Sequence, residues 1–201
     1  MILGAALVLG ALALLLYNRL EARQAEQSAA DALPQLLQSI EAVPDSYESS
    51  FEYVPSAQQE DASGERYSLT MPVVEVDGYG YLGILVLPTL ELELPVMSEW
   101  DYDRLKLAPC RYSGSIPSED FVIAGHNYDG HFGTLHRLSV GDAVLFVDMA
   151  AKTYRFTVSA IETLAPTDVD AMTAGEYPLT LFTCTFGGQN RVAVRCEFAE
   201  E

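Results

Sequence analysis

Basic residues are scarce in this chain. Its 201 residues hold 11 Lys and Arg against 29 Asp and Glu, a formal charge of −18. Binding nucleic acid takes clustered cations that displace the counterions of phosphate. That class is therefore excluded, and so is an electrostatic grip on anionic lipid. The acidic excess reads first as a soluble, self-repelling surface, and second as a field that draws in cationic amines. Cysteine is scarce too. Cys110, Cys184 and Cys196 are too few and too scattered for a disulfide scaffold or a zinc ribbon, and an odd count leaves at least one thiol free. There is no phosphate-cradling glycine loop, no nucleotide fingerprint and no internal repeat.

Charge is missing altogether from the opening stretch, "MILGAALVLGALALLLY". Its apolar run of about 16 residues falls short of the roughly 20 that a bilayer span wants. A secretory signal needs a basic start and a small-residue cleavage site. No Lys or Arg precedes the run, and "QSAADA" at 27–32 lies well past it. The reading is an uncleaved membrane anchor over residues 1–17, with a buried helix as its rival. Arg19 and Arg23 follow the run, and positive-inside reasoning would put that side in the cytoplasm.

Residues 18–67 read as a helical stalk followed by an acidic linker. The stalk is rich in Ala, Gln, Glu and Leu, with Pro34 as a break or a start. The linker, from about residue 43, is polar and without clear periodicity. From about residue 68 to 201 the texture becomes that of short strands punctuated by Gly and Pro. "SEWDYDRLKL" reads as a short helix capped by Ser98, with Glu99 in its first turn. "DVDAMTAG" reads as a helical turn. About eight strands with few helices indicate a mostly-β fold, a closed or nearly closed β-barrel.

The last hairpin concentrates the chemistry. Cys184 ends one run, "FGGQN" turns the chain, and Arg191 opens the next. Such positions lie close across a ladder. A neighbouring cation favours the thiolate, the reactive form, and an arginine fork can hold a carbonyl or a developing oxyanion. Arg195 shares the face of Arg191 but lies roughly 13 Å further along, at about 3.3 Å per residue. Cys196 is likewise too distant to bridge to Cys184. Cys110 with Cys196, or two buried free thiols, both remain open. A thiol nucleophile wants an acid–base partner. Of the three histidines, His126 ends the apolar run "FVIAGH", at the rim of a barrel, while His131 and His136 follow in a loop and a short helix. A zinc site from His126, His131 and Cys184 is imaginable, but no ligand-spacing motif is present.

"FVIAGHN…FGTLHRLSVGD" and "TLFTCTFGGQNRVAVR" resemble the sortases, membrane-anchored cysteine transpeptidases of Gram-positive cell surfaces. Their Thr-Leu-x-Thr-Cys motif is matched by Thr180, Leu181, Phe182, Thr183 and Cys184. Their catalytic His is matched by His126 after Ala124 and Gly125, and their catalytic Arg by Arg191. The resemblance covers roughly residues 70 to 198. It implies an eight-stranded β-barrel with short helices, carried outside the cell by a single-pass N-terminal membrane helix despite Arg19 and Arg23. "GHNYDGHFGTL" is similar to class B sortases, whereas the short stretch between "AIETL" and "TLFTC" is closer to class A or D. Two absences argue against class C: a lid motif of Asp-Pro-aromatic type before the barrel, and a membrane segment after it.

The resemblance further implies a function. Cys184 attacks a carbonyl in a C-terminal sorting motif of a secreted protein, giving a thioacyl-enzyme. Arg191 supports the oxyanion, His126 exchanges the protons, and Thr183 helps position substrate or oxyanion. An amine of a peptidoglycan precursor or cross-bridge then receives the acyl group. No cofactor and no metal are called for. The sequence does not speak to calcium. The alternatives are another extracellular cysteine peptidase, or a non-catalytic anchored barrel in which Cys184 is a small buried hydrophobe. Papain-like enzymes place the Cys before the His and on a helix, the reverse of the order here.

Overall fold

The computed structural model describes residues 2–42, 58–60, 66–68 and 70–200. Most of the expected acidic linker lies outside the described residues. Within that stretch, β1 (Gln58–Glu60) and β2 (Arg66–Ser68) pair as a short antiparallel ladder.

Runs of apolar residues with Gly and Pro between them build the strands that follow: β3 (Val74–Val76), β4 (Tyr79–Leu87), β5 (Leu92–Met97), β6 (Cys110–Ser113) and β7 (Phe121–Ala124). Four more complete the set: β8 (Ala143–Asp148), β9 (Thr153–Leu164), β10 (Leu179–Cys184) and β11 (Arg191–Phe198). The sheet order is β3-β4-β5-β6-β7-β10-β11-β9-β8, and β8 pairs back onto β4. Eight strands, β4 to β11, thus form a closed barrel, with β3 laid against the start of β4. Closure leans on Gly83. Its φ is +157°, and a Cβ there would sit 2.2 Å from the Val147 carbonyl oxygen, so only glycine lets β8 come in.

The barrel interior is filled by side chains from every strand of the barrel except β6, among them Leu82, Leu85, Phe121, Phe146, Phe156, Leu181 and Val194. Removal of this apolar surface from water is the main stabilising term. Period-two alternation sends Leu179, Leu181 and Thr183 of β10 inward and turns Thr180, Phe182 and Cys184 to the outer face.

A single helix, α1 (Ile2–Glu41), runs through both the expected anchor and the expected stalk, with Pro34 inside it. Among the described residues no helix is long and apolar enough to cross a membrane. Residues 2–17 of the expected membrane helix are the first turns of α1, where Leu7 and Leu9 are 69% and 67% exposed. The second half of α1 behaves differently. Ala25, Ala29, Ala32 and Leu36 form a buried stripe at helical spacing. Ala32 and Leu36 meet Val76, Tyr81, Ile84, Met97 and Met149 in a second core outside the barrel.

Two shorter helices flank the site. α2 (Tyr102–Leu105) is capped by Asp101, not by Ser98. The Asp101 carboxylate accepts from the amides of Asp103 and Arg104, at 2.9 and 2.7 Å. Ser98 is still engaged with the sheet, its amide donating to the Gly80 carbonyl at 2.8 Å, so it cannot turn to cap a helix. α3 (Val169–Met172) is the expected helical turn before β10.

Candidate active site

β10 and β11 are antiparallel, and the pairing register sets Cys184 directly opposite Arg191. Between them Thr185 and Asn190 clamp the loop: the Thr185 amide donates to the Asn190 carbonyl at 2.9 Å, and the Asn190 amide to the Thr185 hydroxyl at 3.0 Å. Gly187 and Gly188 take the positive φ of the turn, leaving Phe186 fully exposed beside them. Nη1 of Arg191 donates to the carbonyls of Gly188 and Asn190 at 3.2 and 3.1 Å. Among the described residues its other N–H groups make no hydrogen bond, so they stay available to a ligand.

β7 runs parallel to β10. Its last turn of chain delivers His126 to the same end of the barrel. Gly125 donates its amide to the Phe182 carbonyl at 3.0 Å, and the Asn127 side chain reaches the Thr185 carbonyl at 3.5 Å. Phe132 packs so tightly over Gly125 that a Cβ there would lie 2.5 Å from its ring. The His126 ring stacks on Tyr128, with centroids 4.7 Å apart and planes 23° apart. Burial, first of all, pushes the His126 imidazole below its ordinary value.

His126, Cys184, Arg191 and Thr183 all line one cavity of about 210 Å³. One wall is aromatic: Trp100 packs on Tyr112 at 5.2 Å and Tyr112 on Phe182 at 5.1 Å. The other wall holds Val169 and Met172 of α3. The cavity lies on the outer face of the barrel end and offers an apolar trough with a thiol, an imidazole and a guanidinium at its side. Sequence reasoning missed these walls. They come from segments far apart in the chain, and apart from Phe182, the variable position of the Thr-Leu-x-Thr-Cys motif, they carry no motif.

Thr183 stands on the opposite face of β10 from Cys184. Its hydroxyl is buried and has no hydrogen-bond partner. Replacing it by the near-isosteric valine removes an unsatisfied buried polar group, so stability holds or rises by about 1 kcal/mol. Urea unfolding checks this. Transfer activity measured on the same Thr183→Val protein reads whether the hydroxyl serves the reaction.

Arg195, the rival arginine, faces Thr180 in the ladder and is 4% exposed. Among the described residues four of its five N–H groups are hydrogen-bonded. Nε donates to Glu162 at 3.0 Å, Nη1 to the Met172 carbonyl and the Thr180 hydroxyl at 3.2 and 3.1 Å, and Nη2 to the Ala171 carbonyl at 2.7 Å. The residue ties α3 to the sheet, is buried, and does not line the cavity that holds Cys184.

Cys110, Cys184 and Cys196 are all free. Cys110 and Cys196 lie in different cores, and burial pushes each thiol up to about 12. Cys184 is the half-buried one. Among the described residues no group of three or more His, Cys, Asp or Glu is placed to hold a metal ion. His131 in particular turns inward. It is fully buried, and neither ring nitrogen has a well-formed hydrogen bond, although the backbone at Ala25 and Leu107 lies close by. Burial pushes its imidazole down to about 4. A histidine kept neutral in the fold contributes stability that is complete above the unfolded value of 6.5 and is lost as pH falls towards 4. Between pH 7 and pH 4.5 the wild type is expected to lose about 2–3 kcal/mol more than a His131→Asn protein, as read by urea unfolding at the two pH values.

Fold and site together define a β-barrel protein with a thiol and a guanidinium paired at one barrel end. A family model for the sortase domain matches residues 85–199, and the chain belongs to the sortase family. Among solved structures it is similar to sortase A from Corynebacterium diphtheriae, with a TM-score of 0.55 and 22% identity, over 61% of this chain and 62% of that one. It is also similar to sortase C1 from Streptococcus agalactiae, with a TM-score of 0.56 and 26% identity, over 63% and 72%. A sortase D5 transpeptidase from Clostridium perfringens gives 0.53 and 20%, over 60% and 79%. The chain thus spans less than two thirds of the Corynebacterium protein's length. Neighbours labelled A, C and D score almost alike, so the barrel does not separate the classes. Among curated proteins none matches.

Proposed function

We propose that the protein is a cysteine transpeptidase that cuts a C-terminal sorting motif of secreted proteins and joins them to an amine of the cell wall. The observation that carries this is the pairing of Cys184 with Arg191 across adjacent strands, with His126 lining the same cavity. A solved Clostridium perfringens sortase C is described with the C-terminal cell wall sorting motif, at a TM-score of 0.52 and 23% identity. A non-catalytic barrel would have no need of a half-buried thiol at the side of an apolar trough.

In this reading the Cys184 thiolate attacks a backbone carbonyl of the motif held in the apolar trough. The free N–H groups of Arg191 donate to the oxyanion of the tetrahedral intermediate. His126, as imidazolium, gives its proton to the leaving amine, the C–N bond breaks, and a thioacyl-enzyme remains. The incoming amine attacks that thioester and passes a proton back to His126. The C–S bond then breaks and Cys184 is restored. Water in place of the amine gives hydrolysis. Thr183 acts from beneath the strand, in the positioning of Cys184. The exposed apolar turns of α1 tether the barrel to the outer face of the cell membrane.

The test is mass spectrometry of the protein after incubation with a panel of sorting-motif peptides. A thioacyl adduct on Cys184 with at least one peptide is the expected result, and it reports specificity at the same time. Full product formation without any Cys184 adduct would sink the reading.

A further inference from the structure

The trough beside Cys184 has one wall that cannot stand by itself. α3 is a single turn, closed by the Met172 amide on the Asp168 carbonyl at 3.1 Å and the Thr173 amide on the Val169 carbonyl at 3.0 Å. A helix this short has too few bonds of its own to persist without tertiary support. Yet Val169 and Met172 both line the cavity. Packing and hydrogen bonds seat the turn together. The Met172 side chain clusters with Val122 and Ala193, and Tyr112 and Phe182 of the aromatic wall pack against that cluster. Arg195 does the rest. The last carbonyls of a helix have no partner within it, and Nη1 and Nη2 of Arg195 donate to those of Met172 and Ala171. The same guanidinium lies over the Tyr177 ring, 5.2 Å from its centroid, and so grips the chain between β9 and β10 at a second point. Glu162 of β9 and Thr180 of β10 hold it from the sheet side.

We propose that Arg195 is a positioning residue for the peptide: it holds α3 at a fixed distance from the aromatic wall and so sets the width, and the grip, of the trough. The proposal rests on the reading of that trough as the seat of the sorting-motif peptide. Labour is then divided along β11. Arg191 stands opposite Cys184, at the reacting bond, and Arg195 stands opposite Thr180, behind the wall. Loss of the first removes transition-state stabilisation. Loss of the second removes contacts that bound peptide and transition state share, which raises KM and spares kcat. The fork of an arginine is required. Two carbonyls, a carboxylate and a hydroxyl are met by three different nitrogens, and the single nitrogen of a lysine cannot span them.

The experiment uses the full chain. Arg195→Lys keeps a cation beside Glu162 and so favours a folded protein, and Arg195→Ala is read beside it. Met149→Ala truncates the second core, away from the trough, and supplies a loss of stability for comparison. The first readout needs no turnover. Benzyl and methyl methanethiosulfonate share one reactive group, from which the Cys184 thiolate displaces sulfinate. The benzyl reagent is expected to label wild-type Cys184 faster, because its ring has the trough to enter. In Arg195→Lys that advantage shrinks about fivefold, and in Met149→Ala it is kept. The second readout is turnover of whichever sorting-motif peptide gives the most Cys184 adduct. KM rises about tenfold in Arg195→Lys while kcat stays within about threefold. Met149→Ala moves neither. An unchanged reagent ratio in Arg195→Lys overturns the proposal, as does an equal change in Met149→Ala or a fall in kcat at unchanged KM. If no peptide gives an adduct, the transpeptidase reading fails, and the reagent ratio still decides the role of Arg195.

Discussion

Cys184→Ala protein is expected to form no thioacyl adduct and to lose transfer activity by about four orders of magnitude or more, since no other group can take over the covalent step. The fold should not notice. Cys184 ends a strand and is only half-buried, so truncation to alanine changes stability by about 0.5 kcal/mol or less. The urea midpoint, measured beside the mass spectrum, separates a missing nucleophile from a missing fold. The other thiols serve as controls. Cys110 and Cys196 are buried in the two cores, and burial keeps both in the unreactive thiol form. Labelling by a thiol reagent at neutral pH should therefore fall on Cys184 and vanish in the variant. Unchanged turnover in Cys184→Ala would refute the assignment outright.

The two arginines of β11 make the second contrast. Arg191→Ala is expected to fold normally and to lose about 10²–10³-fold in kcat, the usual cost of one oxyanion donor. Among the described residues the Arg191 side chain is hydrogen-bonded to carbonyls of its own exposed loop alone, so little structure depends on that side chain. Arg195→Ala should do the reverse. It removes an ion pair with Glu162 and leaves the Thr180 hydroxyl and the carbonyls of Ala171 and Met172 without their donor. Glu162 is partly exposed and can rehydrate. The loss should therefore sit near about 3 kcal/mol, at the low end for breaking a buried pair. Thermal or urea unfolding reads that figure. Activity at saturating peptide, in protein that is still folded, should stay within about threefold of wild type. If Arg195→Ala abolishes turnover while Arg191→Ala does not, the roles are exchanged and the site has been misread.

The hairpin was legible because its information is local. A Gly-Gly loop between two β-rich runs fixes a register, and the register puts Arg191 opposite Cys184. Strand count reached the closed barrel for the same reason. Each strand carries its own apolar pattern, and closure is what such patterns favour. The cap of α2 was misplaced because Ser98 and Asp101 both look like caps, and only the sheet decides that Ser98 is already taken. The cavity walls were invisible. Trp100, Tyr112 and Val169 meet only after folding, and nothing in their spacing links them. The seat of α1 lies between these cases. Ala25, Ala29, Ala32 and Leu36 do fall on one helical face. A stripe of mostly small residues carries a faint hydrophobic signal, though, beside the strongly apolar run that precedes it.

The docking of α1 also bears on where this protein begins as a physical object. Likeness to the family picks out residues 85–199, a segment that starts midway along β4. Cut there, the barrel would lack the stretch through Gly83 on which β8 closes. Met97, Cys110 and Met149 would lose Leu36, Val76 and Ile84, their companions in the second core. What family likeness picks out is thus smaller than what packs together. The packed contacts reach back to Ala25, and a protein shortened to residues 85–199 is expected to behave as a fragment.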